Sequence, residues 1–495
     1  MKKINKNIIF LIPLLIIIFG IFLYNMDNIE EFKPNLVIQG DIEFPFANKE
    51  LSNLDKHKIN YDNKSLNVYN LSEIISKAAP VSNDYDIVFT GTDGLKARIS
   101  GGNISNSYLN FSKNNGWEVI NKNHPSSSNV KLLKSITVVS NDKNINDIFT
   151  IINSDKNIMK KTHGDLLSDT YTKLSVFEGA SVKKIDKQEN KVEVFTTKNA
   201  IRINDFIEYE NNKRTLIYNN KGEILKDNNG YIEFDYKSIN YINPDKNIKF
   251  ENIKGVVLNA PVRSNKDIFY DTIYYLENNQ KVLVVLLDGF GYHQYQYCLE
   301  NGITPYLGSI SKANKVLTSF KPVTNTGLAA VLTGKDPAQN GVYNRDFKEL
   351  KTEDIFMKAK KLNKKSVYIE GNIKILNTSI EPNLNPDINK NDSTDDEVYN
   401  EIIKQLDSNI DLIFAHFHGI DDAGHSYGPY GKKTIEVIKQ TDQYLEEISS
   451  NWNGKIIITS DHGMHQVGNH GNHGSILYQD MFVPYIITEG SLINE

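Results

Sequence analysis

Val282-Leu-Val-Val-Leu-Leu-Asp288-Gly289 and Ile456-Ile-Ile-Thr-Ser-Asp461-His462-Gly463 decide how this chain is read. Each is an apolar run leading to a carboxylate, with glycine next after Asp288 and after the Asp461-His462 pair. A third run, Leu412-Ile-Phe-Ala-His416-Phe, leads into His418-Gly-Ile-Asp421-Asp-Ala-Gly-His425. Short runs that are apolar throughout, rather than alternating, suit strands buried on both faces. Helical patterns at 393–407 and 433–449 alternate with them. The alternation predicts an α/β domain over about 270–495, with a largely parallel central sheet flanked by helices. Such sheets place their sites outside the carboxyl ends of the strands. Asp288, Asp421 and Asp461, far apart in sequence, are thereby expected in one crevice.

The side chains at those ends suit a divalent cation. Asp461-His462 is an acid–imidazole pair, and Asp421 and His425 lie four apart in a glycine-containing stretch read as a loop. His473 sits between Asn472 and Gly474, near Gly471. Zinc takes such nitrogen and oxygen ligands at about 2.0–2.2 Å, and two ions about 3.5–4 Å apart suit phosphoryl transfer. Thr324 follows Pro322 and precedes a helical run over Gly327–Leu332. A hydroxyl at a helix start lies beside unpaired N–H groups, an anion-binding position. Alone, Asp288 would read as a turn residue and Thr324 as a helix cap.

Taken together, Asp421-Asp-Ala-Gly-His425-Ser-Tyr-Gly-Pro429, Ser460-Asp461-His462-Gly-Met464, Asp288-Gly289 and Thr333-Gly334 resemble the alkaline phosphatase superfamily. Within it they resemble the type I phosphodiesterase/nucleotide pyrophosphatase branch, over about 275–490. The resemblance implies an alkaline-phosphatase-like fold. It implies one zinc ion held by Asp288, Thr324, Asp461 and His462, and a second by Asp421, His425 and His473, with manganese as another divalent choice. Thr324, nine residues before Thr333-Gly334, takes the place of the family's nucleophile and would form a phosphothreonine; Thr326 is the fallback. His470 is the fallback for His473. Asn325, Asn344 and Arg345 are the expected substrate-binding residues. The branch usually has asparagine where this chain has Arg345, and a guanidinium that grips two phosphate oxygens suits a monoester. The implied activity is hydrolysis of a small phosphate ester, with a phosphodiesterase and a phosphomonoesterase both open. No Cys/Ser-x-Pro-x-Arg pattern supports a sulfatase. A binding protein of the cell envelope without turnover is the alternative from another class.

The rest of the chain is less specific. Its 495 residues are enough for two or three domains, and a net charge of -5 argues against binding a nucleic-acid duplex. Cys298 is the sole cysteine, which excludes an internal disulfide and a cysteine-rich zinc site. Lys2, Lys3 and Lys6 precede the uncharged run Ile8–Tyr24, and Asp27, Glu30 and Glu31 follow it. Residues 1–28 are therefore expected to anchor the chain in the cell membrane by a single span, with everything after it outside. Secretion after signal cleavage is the alternative. A small mixed α/β module is expected over 29–165 and a β-rich module over 166–265; neither names its partner, protein or cell wall. Asp387-Ile-Asn-Lys-Asn-Asp-Ser-Thr-Asp-Asp-Glu397 has oxygen ligands at alternate positions, as a Ca2+ loop does, but lacks its glycine. The favoured reading is a polar loop with a helix cap at Ser393 or Thr394.

Overall fold

The three apolar runs lie edge to edge at the centre of a seven-stranded sheet in the computed structural model, which describes residues 35–142, 148–169, 172–185, 188–206, 214–406 and 408–490. Its order is Asn314–Leu317, Phe482–Glu489, Lys455–Thr459, Val282–Leu287, Leu412–Phe417, Ser366–Glu370 and Asn383–Leu384. The last five are parallel, while Phe482–Glu489 runs antiparallel to both its neighbours. Side chains alternate between two cores. Leu283, Val285, Leu287, Ile413 and Ile456 join one; Val282, Val284, Leu286, Leu412 and Ile457 join the other. Burying a residue of this size contributes about 1.5–3 kcal/mol, so both faces favour an unbroken apolar strand.

Helices cover each face. Asp395–Leu406 and Lys432–Ser450 supply Val398, Ile402, Ile438, Leu445 and Ile448 to the first core. Asp267–Glu277, Thr324–Thr333 and Ile355–Lys361 supply Ile268, Leu276, Leu328, Val331 and Phe356 to the second.

The chain forms two compact units, one running through Pro80 and then Asp84–Val138, the other made of Val81–Asn83 and everything after Val138. The first holds a five-stranded sheet, centred on Leu133–Ser140, and a four-stranded antiparallel sheet. Phe89, Leu109, Trp117, Ile136 and Val138 fill its core. Its helix, Leu71–Ala78, is capped by Asn70, whose side chain accepts from the Ser72 N–H. The anchor expected over 1–28 lies outside the described residues; among the described residues no helix is long and apolar enough to cross a membrane.

The second unit also holds two five-stranded sheets beside the seven-stranded one. In the first, Ile148–Ile152 pairs in parallel with Ile253–Val257 and antiparallel with Asn157–Thr162. Ile152, Tyr218 and Val257 join the same core as Leu283 and Val285. Thr150 donates its hydroxyl hydrogen to the Ile476 carbonyl (2.5 Å), and Asn157 binds Gln479 (3.0 Å) and the Tyr478 N–H (2.8 Å). The second of these sheets carries the long hairpin Thr172–Ile185/Gln188–Arg202.

Beside that hairpin's sheet, Asp227 accepts from Tyr241 (2.6 Å), Asn243 (2.7 Å), Lys246 (2.7 Å) and the Asn228 N–H (2.9 Å). Burial opposes its ionisation, and these donors overcome that to hold its pKa at about 2. A carboxylate depressed below its unfolded value of about 3.9 stabilises the fold above that pH by about 2 kcal/mol. The contribution is lost as pH falls through the folded pKa. Asp227→Asn is therefore expected to cost about 2 kcal/mol at pH 7. Urea unfolding should show the gap to the unaltered protein narrowing below pH ~4; a gap that does not change with pH would refute the assignment.

Candidate active site

Register alone brings the polar ends together. Leu286 lies opposite His416 on one side and Thr459 on the other, and Ile369 lies opposite Ala415. Asp288, His418 and Asp461 thus emerge side by side, with Glu370 level with His416. Gly289 follows Asp288 with φ 72°, and a Cβ there would meet Asp421 Oδ1 at 2.7 Å and its Cα at 3.0 Å. The missing side chain is what lets the Asp421 helix approach. Gly327 plays the same part for the Thr324 helix, since a Cβ there would lie 2.3 Å from the Asp461 carbonyl oxygen.

Asp421 and His425 are on a helix, Gly419–Tyr427, not on the loop expected from its glycines. The spacing of four puts both on one face, with His425 Nε2 3.3 Å from Asp421 Oδ2. Thr324 is the first residue of its helix, and no side chain caps that end. Its hydroxyl lies 3.4 Å from His462 Nε2. Thr326 is fully buried one turn in, its hydroxyl without a hydrogen bond.

Three imidazoles are oriented alike. His425 Nδ1 faces the Gly471 carbonyl (3.2 Å), His462 Nδ1 that of Gly463 (3.0 Å) and His473 Nδ1 that of Pro322 (3.0 Å). A carbonyl only accepts, so each Nδ1 carries a proton and Nε2 is the nitrogen turned toward the carboxylates. His473 Nε2 lies 3.1 Å from His425 Nε2 and accepts from Arg345 at 2.8 Å. Burial, followed by the His462 charge, lowers the His473 pKa to about 3, so this ring is neutral at physiological pH. His470 is exposed and turns Nδ1 to the Ser426 carbonyl, away from this group.

The carboxylates complement these nitrogens. Asp288 Oδ1, Asp421 Oδ1 and Asp461 Oδ2 are buried without a hydrogen bond. Their imidazole neighbours are His462 Nε2 at 3.3 Å, His473 Nε2 at 3.6 Å and His462 Nε2 at 3.5 Å. Two ligands on one tetrahedral zinc, each about 2.0–2.1 Å from it, are about 3.3–3.4 Å apart. Asp288, Asp461 and His462 form one set that could hold a cation, and Asp421, His462 and His473 another. His462 belongs to both. Burial and then the Asp288 charge push Asp461 up to about 7. A dry cluster of carboxylates and imidazoles suits a divalent cation, and the residues present fit one.

Glu370, His416 and His418 are the group that sequence reasoning undervalued. Glu370 accepts from His416 Nδ1 (3.3 Å) and His418 Nε2 (2.5 Å) and holds both rings toward Asp288. His418 Nδ1 then donates to Asp288 Oδ2 at 3.1 Å, and His416 Nε2 lies 3.5 Å from the same oxygen. Burial opposes ionisation of Asp288, but these two imidazoles hold its pKa well below the usual range. Asp288 with His416 and His418 is a third set that could hold a cation.

Beyond these groups opens a cleft of about 480 Å3, walled by Thr150, Lys160, Lys321, Arg345, His425 and His473 among others. Of the three expected substrate-binding residues, Arg345 lines it. Asn325 instead donates to the Phe347 carbonyl (3.1 Å), steadying the Arg345 loop, and Asn344 accepts from the Asp346 N–H (2.7 Å) within its own turn. His465, held by Asp480 at 2.8 Å, also faces the cleft. In the Asp387–Glu397 stretch, Asp387 accepts from the N–H groups of Lys390, Asn391 and Asp392, and Ser393 accepts from Asp395 at the helix start.

Residues 282–481 match the type I phosphodiesterase/nucleotide pyrophosphatase family. GPI ethanolamine phosphate transferase 2 of Schizosaccharomyces pombe is 35% identical over 81 residues, 14% of this chain and 11% of that protein. GPI ethanolamine phosphate transferase 3 of Saccharomyces cerevisiae is 39% identical over 69 residues, 14% of this chain and 7% of that protein. The chain thus spans about a tenth or less of these curated relatives. Among solved structures, murine ectonucleotide pyrophosphatase/phosphodiesterase 5 is 24% identical, with a TM-score of 0.31, over 38% of this chain and 58% of that one. Phosphonoacetate hydrolase from Sinorhizobium meliloti, in complex with phosphonoformate, is 15% identical with the same TM-score of 0.31, over 37% and 57%. The segment that carries the strand-end carboxylates, the three imidazoles and Thr324 is thus the part of the chain that matches the type I phosphodiesterase/nucleotide pyrophosphatase family.

Proposed function

We propose that this chain is a two-metal phosphoric-ester hydrolase of the phosphodiesterase/nucleotide-pyrophosphatase type, with Thr324 as its nucleophile. The observation that carries the reading is the meeting of three inward-turned Nε2 atoms with unbonded carboxylate oxygens beside the Thr324 hydroxyl. Asp288, Asp461, His462 and Thr324 would hold one divalent cation, and Asp421, His425 and His473 the other, with His462 near both. Bound there, zinc or manganese ions would lower the pKa of a neighbouring hydroxyl and neutralise charge on phosphate oxygens.

The chain's residues do the rest. Thr324 Oγ1 attacks phosphorus as its proton passes to solvent, and the bond to the leaving oxygen breaks on the opposite side, that oxygen taking up a proton from solvent to depart as the alcohol. The Thr324 end of the helix offers free N–H groups to the phosphoryl oxygens. Water then attacks the phosphothreonine, and the Oγ1–P bond breaks to restore the hydroxyl. Arg345, 2.8 Å from His473, is placed to hold a phosphate oxygen. Glu370, His416 and His418 fix the Asp288 carboxylate. The run Ile8–Tyr24 supports a membrane anchor, with the site outside the cell.

A second reading keeps the first step and changes the second. The local likeness to GPI ethanolamine phosphate transferases favours an alcohol, in place of water, as the acceptor from Thr324. An added alcohol acceptor would then raise product formation above hydrolysis.

Thr324→Ala is expected to lower turnover of an aryl phosphodiester by on the order of 10^3-fold or more, with the zinc content retained. Thr326→Ala should lose far less, and equal losses would move the nucleophile. Parallel turnover of an aryl monoester decides which ester class Arg345 serves. His473→Ala is expected to lose one of two bound zinc ions by elemental analysis and to shrink the rise in Tm on adding zinc, whereas His470→Ala keeps both. Two ions retained in His473→Ala would overturn the ligand assignment.

A further inference from the structure

The cleft carries two charges that the reaction above does not use. Lys160 and Lys321 line it beside Arg345, and no aspartate or glutamate does. That is unusual in a chain with 61 acidic residues against 56 basic ones. We propose that Lys160 and Lys321, beside Arg345, form a cationic wall that recognises a second anionic group on the substrate, a phosphate or carboxylate on the part of the ester away from the scissile phosphorus. This rests on the phosphoesterase reading and adds the class of substrate.

The fold aims Lys160 into the cleft. It lies on Asn157–Thr162, directly opposite Thr150 in the antiparallel register. Opposed residues of such a pair share a face, and Ile148, two along from Thr150, lines the cleft with them. The hairpin is fastened by Thr150 to Ile476 and by Asn157 to Tyr478 and Gln479, in the segment just after His473. Lys160 is thus tied to the site itself.

Its neighbour provides the contrast. Lys161 points to the other face and pairs with Asp169 at 2.9 Å. Lys160 and Lys321 have no ion pair among the described residues. A solvated surface lysine would look the same in isolation. Two of them beside a guanidinium, on a wall free of carboxylates, give a positive potential where the ester's organic part must lie. Of the wall, Lys321 and Arg345 lie within the family segment 282–481 and Lys160 outside it.

The test uses the full chain in detergent with two 4-nitrophenyl phosphodiesters, one bearing an ethyl arm and one a 2-phosphoethyl arm. The unaltered protein is expected to favour the charged ester by about tenfold in kcat/KM, through KM, and to lose that preference at high salt. Lys160→Ala combined with Lys321→Ala should cut the ratio about tenfold, while Lys161→Ala keeps it. A carboxyethyl arm shows whether carboxylate serves as well as phosphate. Equal kcat/KM for charged and ethyl esters, or a double variant that keeps the ratio, overturns the proposal. If neither ester is turned over, the phosphoesterase reading fails. Titration calorimetry with inorganic pyrophosphate then decides the wall alone: weaker binding by the double variant supports it, and equal Kd values overturn it.

Discussion

Three imidazole N–H groups committed to backbone carbonyls are the constraint on which the centre of this protein depends. Once His425, His462 and His473 turn their Nδ1 atoms to Gly471, Gly463 and Pro322, their Nε2 atoms are the ones left facing the centre. The carbonyls belong to backbone that the sheet and helices hold, so the direction of each ring is a property of the fold. The carboxylates meet the rings with oxygens that have no hydrogen bond of their own. Buried polar groups of this kind are costly to leave unpaired. The same geometry suits a cation.

Register does the gathering. Because Val282–Leu287 lies in step with both Leu412–Phe417 and Lys455–Thr459, small offsets in sequence become small distances in space. The helices then close the crevice by approaching where glycine permits. Glu370 sits behind this arrangement as a shared acceptor for two rings, so Asp288 is held from two directions at once.

Much of this was legible in the residues themselves. Val282–Leu287 is apolar at every position and Ile456–Ile458 likewise, as strands covered on both faces are, and a carboxylate follows each, at once in Asp288 and after Thr459 and Ser460 in Asp461. Asp421 and His425 were legible as partners, but Gly419 and Gly424 argued for a loop. Packing against Met464 and Gln466 holds the segment as a helix instead, where a Cβ at Gly424 would meet the Met464 sulfur at 2.5 Å. Glu370 gave no warning: it ends a short run of mixed character, Ser366-Val-Tyr-Ile-Glu370, and acquires meaning only when Ile369 falls opposite Ala415. Lys160 was invisible for the same reason. Its place comes from the parallel pairing of Ile148–Ile152 with Ile253–Val257, a contact across about a hundred residues that no local pattern encodes.

The hydrogen that stands for a side chain at Gly289 has a further consequence. It sets how closely the Asp288 strand and the Asp421 helix can lie, and so fixes the gauge of the whole centre. A single added carbon there would strike the Asp421 carboxylate, Cβ and Cα together. The whole helix would have to retreat, because no side-chain rotation moves a Cα. The closeness of the two carboxylates is therefore written into the chain as an atom left out.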